Sequence, residues 1–164
     1  MCASQTPYLR DRALRPCLDL TIEDAPQLAR LHQAAFEESW SEASIRELFS
    51  LRDAIIAFGC RDGESVLAFA LLLPCVDDIE LATITTRQDL RGQGLADQLL
   101  AHAMDEAKAS GYARMLLEVA DDNPGAVRLY EKHGFGLDGI RKGYYPRQNA
   151  KHVDARLMSA PLRA

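Results

Sequence analysis

The spacing of apolar residues predicts the first elements of the chain. Residues 17–20 form a short β-prone run, and two helix-start signals follow it, at Thr21–Asp24 and at Ser39–Glu42. After each signal the apolar residues recur every three or four positions, which is the spacing of an amphipathic helix. This part of the chain therefore predicts one strand followed by two helices.

Three β-prone runs come next. Residues 54–60 and 65–73 are apolar, and the Asp62-Gly63 dipeptide between them is a strong hairpin signal. A further strand is predicted over residues 79–86, and it leads directly into a stretch that contains two glycines. We therefore expect three consecutive strands, the first two of them antiparallel.

The second half of the chain alternates between helix and strand patterns. An amphipathic helix is predicted over residues 95–110, and a near-continuous apolar strand, typical of burial on both faces, over residues 114–120. The remaining predicted elements are a short helix from Asn123 to His133, strands over residues 135–141 and 153–160, and a loop over residues 143–151. The order β-α-α-β-β-β-α-β-α-β-β predicts an α/β domain in which helices flank a mixed central sheet.

Composition narrows the class of protein. The chain has 164 residues, 48% of them hydrophobic, and a net charge of −5, which argues against a general nucleic-acid or membrane-surface binder. Four cysteines are spread singly, so neither a zinc site nor a disulfide framework is expected. With no apolar run near the ~20 residues of a transmembrane helix and no recognisable signal peptide, we expect a cytoplasmic protein. Residues 1–15 are expected to be poorly ordered, and residues 16–164 to form one domain.

Two glycines, Gly92 and Gly94, lie one residue apart between a predicted strand and a predicted helix. A Walker P-loop is excluded because no lysine follows the second glycine, and a dinucleotide fingerprint is disfavoured because Asp97 would repel a pyrophosphate. The remaining phosphate-binding interpretation is Arg-x-x-Gly-x-Ala, from Arg91 to Ala96, with main-chain N–H groups at the positive end of the helix dipole. A plain strand-to-helix turn is the alternative.

Residues 83–96 resemble motif A of the GCN5-related N-acetyltransferases (GNAT), whose consensus is Gln/Arg-x-x-Gly-x-Gly/Ala. Further matches follow in the order and spacing of the RimI-type subfamily, which acetylates protein N-termini: Leu117-Glu118-Val119, Asn123, Ala126, Leu129-Tyr130, Gly134-Phe135, Arg141–Pro146 and Asp154-Ala155. The resemblance implies a GNAT fold and an enzyme that transfers an acetyl group from acetyl-CoA to a protein α-amino group. It also makes a ribosomal protein the candidate acceptor.

The same resemblance implies which residues hold acetyl-CoA. The main chain of Ile84, Thr85 and Thr86 is expected to contact the pantetheine arm, which requires the strand to splay from its neighbour rather than pair normally. The residues expected to hold the pyrophosphate are Arg91, Gly92, Gln93, Gly94, Leu95, Ala96 and Asp97. Asn123 either contacts the coenzyme or only caps its helix.

Aminolysis of a thioester needs a base for the amine, a hydrogen-bond donor for the carbonyl oxygen and an acid for the departing thiolate. Glu118 lies in an otherwise apolar strand, and the resemblance places the catalytic glutamate there; a structural carboxylate paired with Arg114 or a lysine is the alternative. Glu80 is the rival base. Tyr130 matches the residue that acts as the acid in the family; the alternative is a core tyrosine hydrogen-bonded to the backbone.

The sequence indicates the acetyl acceptor less closely than it indicates the acetyl donor. Trp40 and the Tyr144-Tyr145 pair are candidates for lining a peptide groove, although aromatic residues more often only pack. Ala120 stands where the RimI-type subfamily usually has arginine, which keeps open a small amine acceptor such as a polyamine, an aminoglycoside or an amino acid. A protein that binds CoA without catalysis is the third hypothesis.

Overall fold

A mixed β-sheet forms the centre of the computed structural model, which describes residues 17–51, 55–148 and 151–163. The predicted poorly ordered segment, residues 1–15, lies outside these ranges, as does Ala54 at the start of one predicted strand. The strands are β1 (Cys17–Asp19), β2 (Ile56–Asp62), β3 (Ser65–Cys75), β4 (Asp78–Thr86), β5 (Arg114–Ala120), β6 (Gly136–Pro146) and β7 (His152–Pro161). The helices are α1 (Ala25–Ala35), α2 (Glu42–Leu51), α3 (Leu95–Ala109) and α4 (Pro124–Lys132).

The sheet order within the described residues is β1-β2-β3-β4-β5-β7-β6. The pairs formed by β1 with β2, β2 with β3, β3 with β4, β5 with β7 and β6 with β7 are antiparallel, whereas β4 and β5 run parallel with α3 as their crossover. A parallel pair requires such a crossover connection, which a hairpin turn is too short to make. The predicted element order and the mixed α/β sheet are therefore confirmed.

Two apolar clusters hold the layers together. The larger contains Leu99, Leu100 and Ala103 of α3, Val127 and Tyr130 of α4, and the residues of β3, β4, β5 and β7 that face them. The smaller joins α1 and α2 to β2 and β3 on the other side of the sheet. All its buried members lie between Leu20 and Leu71. Among the described residues, none of β5, β6 or β7 belongs to this smaller cluster.

Strand β5 differs from the prediction of burial on both faces. Met115, Leu117 and Val119 are buried in the larger cluster, whereas Leu116 and Glu118 between them are only half-buried. The alternation arises because α3 and α4 cover one face of β5 and the opposite face opens into a groove. An apolar composition alone did not distinguish this arrangement from a strand buried on both sides.

Strand β6 is longer than predicted. Residues 143–146, which were expected to begin a loop, continue the strand as far as Pro146. The pairing with β7 shifts register between Arg141 and Tyr145, and it resumes with Tyr145 opposite Val153. Such a bulge accommodates extra residues without ending the strand, and it is not visible in a simple alternation of polar and apolar residues.

The turn between β3 and β4 carries a strained residue. Val76 has φ of 54° and its side chain is 97% exposed. A positive φ is unfavourable for a β-branched residue, because its β-carbon approaches the backbone closely in that region. Exposure of the side chain means that little packing compensates for this strain.

We predict that Val76→Gly stabilises the protein. Relief of a left-handed L-residue is worth ~1–2 kcal/mol, and the added freedom of the unfolded glycine chain offsets ~0.5–1 kcal/mol of it, so unfolding becomes ~0.5–1 kcal/mol less favourable. Thermal unfolding measures the change, with Val76→Ala as the matched control because alanine keeps the positive-φ cost. A melting temperature no higher for glycine than for alanine would contradict the assignment of strain to this turn.

Candidate active site

The sheet opens between its two parallel strands. Pairing of β4 with β5 is confined to Ile79 with Met115 and Glu80 with Leu116, although both strands continue beyond these pairs. The register of β4 against β3 also shifts between Leu71 and Leu72, so that Ala82 has no partner of its own. The predicted splay of β4 is therefore confirmed, and Ile84, Thr85 and Thr86 keep their pairing with β3 alone.

The glycine loop follows the open end of β4. Gly92 and Gly94 have φ of 74° and 89°, and a β-carbon added to either would meet no atom within 4 Å. The first hydrogen bond of α3 runs from the Gln98 N–H to the Gly94 carbonyl, at 3.0 Å, and no side chain caps the helix. The N–H groups of Leu95, Ala96 and Asp97 precede that bond, so they have no acceptor within the helix.

Two polar side chains of the loop contact its own backbone. The Arg91 Nε lies 3.5 Å from the Thr86 carbonyl, and the Gln93 amide donates to the Asp89 carbonyl at 3.4 Å. The hydroxyl oxygens of Thr83 and Thr86 are buried without a hydrogen-bond partner. An orphaned hydroxyl therefore ends β4, and the loop that follows it leads to the uncapped start of α3.

This arrangement fits a diphosphate followed by an amide-containing arm. Unpaired N–H groups at a helix N-terminus bind phosphate oxygens, and the space beside Gly92 and Gly94 admits them without a side-chain clash. The unpaired edge of β4 beyond Glu80 offers main-chain donors and acceptors in the manner of a missing strand. The plain-turn alternative does not account for the unpaired edge of β4.

The Asp97 carboxylate points to α4. Its Oδ1 accepts from the Lys132 ammonium at 2.7 Å and lies 2.8 Å from the His133 Nε2. The Lys132 ammonium, followed by the His133 ring, lowers the pKa of Asp97 from its ordinary value. The side chain therefore binds another helix, while its main-chain N–H stays in the glycine loop.

Asn123 caps α4. Its side-chain oxygen accepts a hydrogen bond from the Ala126 N–H at 3.2 Å, and Pro124 occupies the first helical position. This is the geometry of a helix N-cap, so the capping alternative for Asn123 is satisfied in the structure. A contact with the coenzyme stays a prediction.

A groove of about 320 Å³ opens on the side of β5 that faces away from α3 and α4. Glu80 and Glu118 both line it, over a floor that includes Leu116 and Leu157. The two rival candidates for the base therefore belong to one site. Glu118 sits two residues beyond the last pair that β5 makes with β4, next to the opening of the sheet.

Glu118 is paired, but its partner is not the one the sequence suggested. The Arg141 Nη1 on β6 lies 2.9 Å from the Glu118 Oε1. Arg114, the expected partner, instead pairs with Asp78 at 2.7 Å. The strand register explains the difference, because Arg141 and Glu118 both pair with β7, at Ala155 and Leu157.

Tyr130 lies on the opposite side of β5 from Glu118. It is 7% exposed and packs with Phe135 at a ring distance of 5.7 Å. These contacts are those of a core tyrosine, and the role of acid stays a prediction. Burial raises the pKa of Tyr130 from its ordinary value.

The aromatic candidates for an acceptor groove divide into two groups. Trp40 stacks on His32 at 4.8 Å and donates its main-chain N–H to the imidazole at 3.0 Å, so it packs. Tyr144 lies beneath the Arg141 guanidinium, 4.7 Å from its ring centre. Burial, followed by the negative charge of Glu118, raises the pKa of Tyr145, so this tyrosine lies near the candidate base. Neither tyrosine lines the groove itself.

Three charged residues of the site were not assigned from sequence. Arg141 was noted only as part of a motif, and Lys132 and His133 received no role. A pairing between strands or between helix ends depends on register and crossing geometry, which one sequence does not display. The signal that was present was weaker and concerns Glu118, a carboxylate in an otherwise apolar strand, where a partner is to be expected.

These features together define a class, and the comparisons with known proteins agree. Residues 25–135 match the acetyltransferase (GNAT) family, and the chain belongs to that family. It is therefore an acetyltransferase whose acetyl donor is acetyl-CoA, and the family expectation from the glycine loop is confirmed.

Particular relatives refine this class. The chain is 32% identical over 143 residues to the [ribosomal protein bS18]-alanine N-acetyltransferase of Escherichia coli (strain K12), covering 87% of this chain and 95% of that protein. The crystal structure of the Escherichia coli ribosomal-protein-S18-alanine N-acetyltransferase matches with a TM-score of 0.83 and 30% identity, over 92% of this chain and 95% of that one. A phosphinothricin acetyltransferase from Sinorhizobium meliloti, solved in complex with AcCoA, shares the fold at a TM-score of 0.79 and 18% identity, over 90% and 88%.

Neither a membrane-spanning helix nor a metal-binding cluster is present in residues 17–51, 55–148 and 151–163. No helix in those ranges has both the length and the apolar character needed to cross a membrane. No three His, Cys, Asp or Glu side chains among them are grouped so as to hold a metal ion.

We predict that Gly94→Ala weakens binding of coenzyme A by at least about tenfold. The new β-carbon would stand in the space beside the helix start, and the positive φ would shift the N–H groups that follow. Isothermal titration calorimetry with coenzyme A measures the change.

Gly63→Ala is the matched control for Gly94→Ala. Gly63 also has a positive φ, of 55°, with no atom within 4 Å of an added β-carbon, but it lies in the turn between β2 and β3. Both variants carry the same backbone cost, and only the one in the glycine loop should lose affinity. Equal losses in the two variants would show that the effect is one of stability alone.

Proposed function

We propose that the chain transfers the acetyl group of acetyl-CoA to the α-amino group of a protein N-terminus, and that this acceptor is a ribosomal protein of the cytoplasm. The observation that carries the proposal is the opening between β4 and β5. The opening begins beside Glu80, which lines the groove together with Glu118, and β4 continues from there towards the glycine loop. The similarity to ribosomal-protein alanine N-acetyltransferases supports the choice of acceptor.

The first step in the proposed mechanism is recognition of the donor. The glycine loop and the N–H groups of Leu95, Ala96 and Asp97 hold the pyrophosphate at the positive end of the α3 dipole. The unpaired edge of β4 at Ile84, Thr85 and Thr86 binds the pantetheine arm through main-chain hydrogen bonds. Bound acetyl-CoA supplies a thioester whose carbonyl carbon accepts the amine.

Removal of a proton from the amine is assigned to Glu118. An α-ammonium has a pKa of ~8, below the ~10.4 of a lysine ε-ammonium, so an α-amine gives up its proton more readily at neutral pH. Arg141 binds one carboxylate oxygen of Glu118, at Oε1, which leaves Oε2 to face the amine. Glu80 lines the same groove and is the alternative base, acting directly or through a water molecule.

Protonation of the departing sulfur is assigned to Tyr130. The residue lies in the core on the α4 side of β5, and its phenol is protonated at neutral pH. A phenol of that kind donates to a developing thiolate without first losing its proton to solvent. Stabilisation of the negative charge that develops on the carbonyl oxygen is assigned to main-chain N–H groups of the splayed strand β4.

A small amine is the second candidate acceptor, and Ala120, in place of the subfamily's usual arginine, favours it. The groove is bounded by β4, β5, β6 and β7, and no residue of α1 or α2 lines it in the described part of the chain. An open side of this kind admits a polypeptide, whereas a polyamine or aminoglycoside is usually held in an enclosed acidic cavity. The geometry therefore favours a peptide.

We predict that the protein acetylates an alanine-initiated peptide on its α-amine, as measured by mass spectrometry after incubation with acetyl-CoA. A panel of polyamines, an aminoglycoside and free amino acids, assayed beside the peptide, tests the acceptor. Faster turnover of any small amine than of the peptide would overturn the choice of acceptor. Binding of coenzyme A with no turnover on any acceptor would favour the non-catalytic hypothesis.

Substitution of the candidate base is expected to lower kcat. Glu118→Gln removes the proton acceptor and should reduce kcat by ~10²–10⁴ while leaving the calorimetric affinity for coenzyme A within about twofold. Glu80→Gln, measured in parallel, tells whether the rival carries the reaction instead. Glu106→Gln, on the exposed side of α3, is the matched control and should be neutral. Undiminished turnover in the Glu80→Gln/Glu118→Gln double variant would rule out a carboxylate base.

A further inference from the structure

The glycine loop contains a carboxylate where an anion is to bind. Asp97 occupies the third position of α3, within the first turn, and the helix start has no side-chain cap. In many helices an acidic side chain at this position folds back and accepts from the first N–H groups, as in a capping box. If Asp97 did so here, its carboxylate would occupy the same donors that the pyrophosphate needs.

The structure shows that Asp97 is held elsewhere. A single oxygen, Oδ1, is contacted by both Lys132 and His133, at 2.7 and 2.8 Å. Both partners come from the end of α4, beyond Tyr130. The His133 side chain is 16% exposed, so the arrangement is partly enclosed on that side. Two hydrogen-bond partners on one oxygen orient the carboxylate away from the helix axis.

The ion pair itself contributes little to folding. The Lys132 and Asp97 side chains are 66% and 39% exposed, and exposed pairs of this kind are typically worth no more than ~1 kcal/mol. The position of the ion pair is therefore more informative than its strength. The Lys132 ammonium supplies positive charge beside the glycine loop, next to the Asp97 carboxylate in the first turn of α3.

We propose that Lys132 and His133 form a restraining pair that keeps Asp97 off the N-terminus of α3 and neutralises its charge, so that the loop binds the diphosphate of coenzyme A. Lys132 and His133 act through Asp97 and are positioning residues. The inference rests on coenzyme A as the ligand of the glycine loop, but it does not depend on which amine is acetylated. It assigns a function to the end of α4 that is separate from the role of Tyr130.

The test measures the affinity of the intact protein for coenzyme A by isothermal titration calorimetry. Lys132→Met should raise Kd by about five- to tenfold, because the Asp97 carboxylate then loses its ammonium partner, is held by His133 alone and repels the ligand. Asp97→Asn introduced into the Lys132→Met protein should restore affinity. The gain from Asp97→Asn should be at least about threefold larger in that background than in the unaltered protein.

Controls separate this role from a structural one. Lys108→Met, on an exposed part of α3, should leave Kd within about twofold. The melting temperature of Lys132→Met should fall by no more than ~4 °C, as expected for an exposed pair worth at most ~1 kcal/mol. A structural role alone would instead lower the melting temperature without the rescue by Asp97→Asn.

Two outcomes would overturn the proposal. A Kd for Lys132→Met within twofold of the unaltered protein would show that Asp97 needs no restraint. An equal effect of Lys132→Met with and without the Asp97 carboxylate would show that Lys132 binds the ligand directly. Failure of the unaltered protein to bind coenzyme A would instead count against the coenzyme site on which the function rests.

Discussion

The site depends on the point at which β4 and β5 stop pairing. Hydrogen bonds between parallel strands normally continue for the length of the shorter strand, and here they cease after Glu80. Unpaired main-chain groups inside a sheet are costly unless another molecule satisfies them. The sheet therefore keeps a gap with the chemistry of a missing strand between β4 and β5.

Local sequence signals predicted most of the elements that surround this gap. Helix α3 begins at Leu95, after the two glycines that the sequence singled out, and α4 begins at Pro124, after its Asn123 cap. These signals are read within a few residues, since capping and turn chemistry are local. The resemblance to the acetyltransferase family extended the same reading to the loop and to the catalytic candidates.

The features that the sequence did not reveal arise from register and crossing angle. The run of residues 114–120 was interpreted as continuously apolar, but its alternation separates Met115, Leu117 and Val119 on the covered face from Arg114 and Glu118 on the open one. The partner of Glu118 is Arg141, which is 23 positions further along the chain and is brought close only by β7. The contacts of Asp97 likewise require knowledge of how α4 ends beside α3. Both of these contacts join groups that are distant along the chain, and a single sequence does not show that they are close in space.

The placement of Glu118 and Tyr130 on opposite faces of β5 has a kinetic consequence. In the proposed mechanism the donor and the acceptor therefore reach the reaction centre from different sides, so one need not leave before the other arrives. Direct transfer between the two bound reactants, as proposed, requires no nucleophilic side chain of the protein.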